Sequence, residues 1–98
     1  MRLKPDEVEA IKAATRRVLG ETATVRLFGS RLDDDLRGGD VDLHFEVDDP
    51  APDFMLRGKL VQALDEAVGG RKVDTVFSVR GGTPRGFERI AYRDGVVL

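Results

Sequence analysis

Residues 40–47 read DVDLHFEV, and their alternation is unbroken: Val41, Leu43, Phe45 and Val47 fall on one side, Asp40, Asp42, His44 and Glu46 on the other. Successive strand residues point to opposite faces of a sheet, so this segment is a β-strand with one apolar and one acidic face. Such a strand needs helices against its apolar side. Its acidic side needs a different explanation.

Working outward, the segment RGGD (37–40) breaks the chain just before the strand, and RLDDDL (31–36) suits a short helical turn. Upstream, ATVRLF (23–28) alternates as a second strand and runs into Gly29-Ser30. Earlier still, Val8, Ile11, Ala14, Val18 and Leu19 recur at helical spacing, with Pro5 in the first turn, Asp6 and Glu7 beside it and Gly20 past the end, which predicts a helix over 5–19. Downstream, DDPAP (48–52) reads as a loop. A long helix follows over 53–68, with Phe54, Leu56, Leu60, Val61, Leu64 and Val68 inward and Gly69-Gly70 as its stop. KVDTVFSV (72–79) is a third strand, and RGGT (80–83) a loop. Residues 84–91 read as a short helix capped by Thr83, and VVL (96–98) as a terminal strand or docked tail. No repeat or linker interrupts the 98 residues, so one domain spanning 1–98 is expected. Its class is α/β (α+β), a small mixed β-sheet with helices packed on its apolar face.

Composition narrows the chemistry. With no cysteine and a single histidine, disulfides, thiolate nucleophiles and His- or Cys-built zinc sites are excluded, so carboxylates must carry any metal chemistry. A net charge of −2 supplies no broad positive field, which argues against long nucleic acids as partners. No apolar run of secretory or membrane-spanning length is present, so the expectation is a cytoplasmic protein without a membrane partner.

The acidic face is the informative part. Side chains two apart on a strand leave the same face about 6.5–7 Å apart, so Asp40 and Asp42 can lean toward one centre. Two such charges at a separation near 6 Å repel by roughly 2–3 kcal/mol at an effective dielectric of 20, which a divalent cation would offset. Oxygen-only ligands favour Mg²⁺ or Mn²⁺, and Mg²⁺ usually keeps water and substrate phosphate beside one or two carboxylates. Asp74, near the start of the third strand, can join the same face if that strand is a neighbour. Three carboxylates on adjacent strands suit a two-ion site for in-line displacement at phosphorus. Gly29-Ser30 complements them: a glycine permits a tight turn after a strand, and the amides freed there suit a phosphate.

Taken in order, LFGSR (27–31), GGDVDL (38–43) and KVDTV (72–76) resemble the signature of the DNA polymerase beta-like nucleotidyltransferase superfamily, in particular its minimal nucleotidyltransferases, and the ending FERIAYRDGVVL (87–98) resembles theirs as well. The resemblance implies a polymerase-beta-like palm in which Gly29 and Ser30 grip a nucleoside triphosphate, Asp40 and Asp42 bind Mg²⁺, and Asp74 completes the metal and catalytic set and can activate an acceptor hydroxyl. It further implies transfer of a nucleoside monophosphate, AMP from ATP being the expected case, to a hydroxyl with release of pyrophosphate. Members of that group are often paired with an HEPN-domain partner as its antitoxin, either adenylylating it or neutralising it by contact alone. Self-association stays open.

Other features read more plainly. His44 departs from the apolar residue expected after the Asp pair, and its expected role is that of a hydrogen-bonded neighbour at the site's edge. Asp33, Asp34 and Asp35 do not make a calcium loop, because the fifth position from Asp33 is Arg37 and the twelfth is His44 where a glutamate is needed. GGTPRG (81–86) lacks the lysine and spacing of a phosphate loop. Arg31 is the best phosphate-binding candidate among Arg31, Arg71, Lys72 and Arg80, and Phe87, Ile90 and Tyr92 are expected as core or partner contacts in preference to a base-stacking platform.

Overall fold

The computed structural model describes residues 3–29 and 40–98. Helix α1 runs Pro5–Leu19. Lys4 precedes it with no side-chain acceptor to offer, so the N-terminus is closed from the other direction: the Lys4 amide donates to Glu7 Oε1 at 2.9 Å. Strand β1 (Thr24–Phe28) follows, then β2 (Val41–Val47), helix α2 (Phe54–Ala67), β3 (Val73–Val79), helix α3 (Phe87–Asp94) and β4 (Val96–Val97). Asp53 caps α2 by accepting from the Leu56 amide at 2.8 Å.

The four strands form one mixed sheet in the order β3-β2-β1-β4. β1 lies antiparallel to both β2 and β4, whereas β2 and β3 are parallel, joined by the α2 crossover. The apolar alternation of β2 survives intact: Val41, Leu43, Phe45 and Val47 are buried with Val25 and Leu27 of β1, Ile11 and Ala14 of α1, and Leu60, Ala63, Leu64 and Val68 at α2. Phe77 of β3 stacks on Phe45 with ring centroids 5.4 Å apart, extending that core toward the sheet edge. α1 and α2 therefore cover the apolar face, as the alternation requires. Among the described residues no helix is long and apolar enough to cross a membrane.

Two details differ from the expectation. Phe54 and Val61 of α2 face outward, 90% and 40% exposed. At 3.6 residues per turn they lie roughly 100–120° around the helix from Leu60, while Leu60 and Leu64 share one line and take the core. The last helix also begins later: Gly86 sits ahead of it with φ +53° and no side-chain cap, so Thr83 is no cap and Pro84 is outside the helix, which continues to Asp94. A positive φ at residue 86 cannot belong to a right-handed helix, and that sets the start at Phe87. At the other end the Gly95 amide donates to Ala91 O at 2.8 Å.

α3 occupies the face that α1 and α2 leave open. Its inner positions Glu88, Ala91 and Tyr92 recur at i, i+3 and i+4, and Ala91 is fully buried. The polar side of the sheet is thus half roofed, and the uncovered part is where the acidic residues gather.

Candidate functional site

The parallel pairing of β2 with β3 sets Asp42 directly beside Asp74, and the antiparallel pairing of β1 with β2 sets Phe28 on the other side of Asp42. Neighbouring strands are spaced about 4.8 Å, so register alone brings the two carboxylates onto one patch of sheet. Gly29, immediately after β1, has φ +74°, and a Cβ built there would stand 2.5 Å from Asp42 Oδ2. Glycine is needed at this position twice over: for the left-handed backbone and for the closeness of the carboxylate. Asp42, Asp74 and Gly29 line one cleft of about 470 Å³, together with Phe28, Val76, Phe87 and Ile90. That volume lies within the range of small-molecule sites.

Asp40 is exposed just ahead of β2, two residues before Asp42, and the adjacent Val41 amide donates to Lys72 O at 2.8 Å. Among the described residues no group of three or more His, Asp or Glu could hold a metal. The described pair is therefore Asp42 with Asp74, and the side chain of Asp74 is about half exposed with Lys72 Nζ 3.8 Å away. As a donor set the pair fits Mg²⁺: hard oxygen ligands, few in number, on an open cleft with room for water and phosphate. Ser30 and Arg31 lie outside the described residues, as do Asp33, Asp34, Asp35 and Arg37.

The remaining basic candidates have partners. Arg71 binds Glu7 of α1, and its Nε donates to Val68 O at 3.1 Å. Arg80 donates to Asp48 at 2.6 Å and to Thr22 O at 2.8 Å, which ties the end of β3 to the turn before β1.

Beside the cleft runs a polar chain that sequence reasoning anticipated only in part. His44, fully buried, lies 2.7 Å through Nε2 from Ser78 Oγ, and Ser78 Oγ donates to Glu88 Oε1 at 2.6 Å. Ser78 has a single hydroxyl proton, and it is committed to Glu88. His44 Nε2 must then be the donor to Ser78, which fixes the Nε2–H tautomer. Burial, reinforced by the Arg26 guanidinium, holds the His44 pKa below its ordinary value against the opposing pull of Glu46 and Glu88. Tyr92 packs edge-on against His44 with centroids 4.7 Å apart and donates to Glu46 Oε2 at 2.8 Å, while Arg26 lies over its ring at 4.8 Å. Burial opposes ionisation of Glu46, but the Tyr92 hydroxyl and the Arg26 and Arg80 guanidiniums outweigh it and lower its pKa. Glu88 and Tyr92 thus pin α3 to the sheet from beneath.

His44 is the hydrogen-bonded neighbour that the strand alternation suggested. Tyr92 is half-buried on the network, whereas Phe87 and Ile90 remain 68% and 36% exposed on the wall of the cleft. The signal for that split lay in the i, i+3 spacing of 87 and 90 against 88, 91 and 92. The chain matches no family model and no curated protein.

Proposed function

We propose that this chain is a Mg²⁺-dependent nucleotidyltransferase that moves a nucleoside monophosphate, AMP from ATP in the expected case, onto a hydroxyl group. The observation that supports the reading is the register pairing of Asp42 with Asp74 in one cleft, with Gly29 backed against Asp42. In this reading Asp42 and Asp74 hold Mg²⁺ (Mn²⁺ being an acceptable substitute), with Asp40 at the edge of the set, and Gly29, Ser30 and Arg31 attend the triphosphate. When bound, the ion supplies positive charge that lets a polyphosphate lie against two carboxylates. In this reading Asp74, whose side chain is about half exposed, takes the proton of the acceptor hydroxyl. The acceptor oxygen bonds to the α-phosphorus, the bridging bond from the α-phosphorus to the β-phosphate oxygen breaks, and pyrophosphate leaves.

The acceptor in this reading is a hydroxyl of a partner protein, and by the sequence resemblance that partner is an HEPN-domain toxin. Incubation with Mg²⁺ and ATP labelled in its α-phosphate, together with the candidate partner or cell extract, should transfer label to a protein, and Asp42→Ala or Asp74→Ala should abolish the transfer. A folded sample that transfers nothing from any nucleotide would falsify the reading.

A second reading has its own support. Phe54 and Met55 stand 90% and 72% exposed at the start of α2, large apolar side chains of the kind that anchor protein contacts. In that case the chain acts by contact alone, and an Asp40→Ala, Asp42→Ala double variant keeps full activity in the cell. Under the enzymatic reading the double variant loses it.

A further inference from the structure

The cleft is two-sided. Its floor carries Asp42 and Asp74, and its wall is apolar, formed by Phe28, Val76 and the outer side chains of α3, Phe87 and Ile90. Phe87 is 68% exposed although its helix is held firmly from below, by Glu88 on Ser78 at 2.6 Å and Tyr92 on Glu46 at 2.8 Å. An aromatic side chain on a fixed helix, left open beside two carboxylates, makes a rigid apolar face at low ordering cost. A ligand that satisfies both sides needs a flat apolar ring at one end and metal-bridged anionic groups at the other.

We infer that Phe87 and Ile90 form the nucleobase subsite, receiving the base of a nucleoside triphosphate whose phosphates lie toward Asp42 and Asp74. The inference rests on the nucleotidyltransferase reading and adds to it the place and manner of base recognition. Every base has a π-face, so stacking on Phe87 is tolerant of base identity. Phe28, Val76, Phe87 and Ile90 carry no side-chain hydrogen-bonding group with which to read a base edge, and Thr75, which also lines the cleft, pairs with the core residue Leu43 and so sends its hydroxyl to the opposite face from Asp74. Discrimination among bases is accordingly weak, far below the factor of roughly ten thousand that a hydrogen-bonding reader reaches.

The test is calorimetric binding of the full chain, in Mg²⁺, to ATP, GTP, CTP, UTP and inorganic tripolyphosphate, the last as a probe with phosphates and no base. The expected result is that the four nucleotides bind within about tenfold of one another and tripolyphosphate binds at least about tenfold more weakly than ATP. Phe87→Ala should weaken ATP by about tenfold and leave tripolyphosphate unchanged, and Phe87→Trp should restore ATP binding. Because Phe87 is exposed, its replacement leaves the fold intact, which an unchanged melting temperature checks; Ile90→Ala supplies a second, milder loss. Equal affinity for ATP and tripolyphosphate, with both lost in Asp42→Ala, overturns the base subsite while the phosphate site stands. Full ATP affinity in Phe87→Ala with loss of a protein partner's binding also overturns it, and makes the wall a protein contact. A preference of more than about a hundredfold for one base overturns recognition by apolar contact. Binding of neither nucleotides nor tripolyphosphate removes the parent reading as well.

Discussion

Gly29→Ala separates two costs that a single residue carries. The first is conformational: φ is +74°, and a residue with a Cβ pays about 1–2 kcal/mol in the left-handed region. The second is steric, since the new Cβ would stand 2.5 Å from Asp42 Oδ2 and 3.2 Å from its Cγ. The obstructing atom is the end of a side chain, so the carboxylate turns aside and the core stays where it is. Stability should therefore fall by little more than the conformational cost, a melting temperature lower by about 5–15 °C for a chain of this size. Activity should fall much further, because a catalytic group displaced by about 1 Å can cost a hundredfold. Gly69→Ala is the matched control: its φ is +68°, and a Cβ there meets nothing within 4 Å. The two variants should lose similar amounts in a thermal melt, while only Gly29→Ala loses Mg²⁺-dependent ATP binding and nucleotide transfer. Full ATP binding in Gly29→Ala, or an equal loss of ATP binding in both variants, would refute the claim that this glycine makes room for Asp42.

Three further outcomes follow from the packing. Glu46→Gln should cost about 1–2 kcal/mol in urea unfolding at pH 7, because the carboxylate accepts from Tyr92 and pairs with two guanidiniums. The folded pKa lies below the ordinary 4.5, so that stability is present above 4.5 and disappears as pH falls through the folded value; a gap between the variants that persists unchanged to about pH 3 would contradict it. Gly95→Ala should destabilise by about 1–3 kcal/mol, because its Cβ would collide with the Ala91 carbonyl, which is backbone and cannot swing aside as Asp42 does; a wild-type melt would show that α3 ends differently. Phe54→Ser with Met55→Ser should change stability by no more than about 0.5 kcal/mol, since both side chains are exposed, and a larger loss in chemical denaturation would mean that they pack.

The apolar period of β2, the helical spacing of 8, 11, 14 and 18, and the glycine and proline breaks already specify the two covering helices and three of the four strands, because each is a local consequence of which side chains avoid water. The alternation of β2 likewise put Asp42 on the face opposite the core. Periodicity is silent about neighbours: Asp74 stands 32 residues beyond Asp42, and nothing local states that β3 joins β2 in parallel with those two residues in register. That pairing comes from the α2 crossover and the packing of Phe77 on Phe45, contacts that exist only once the chain has closed. The fate of His44 was settled at the same level. Alternation assigned it a polar face, and α3, arriving from residues 87–94, turned that exposed position into a buried one and left Phe87 beside the carboxylates. Local preference depends on the nearest few residues, whereas burial depends on what the rest of the molecule lays on top.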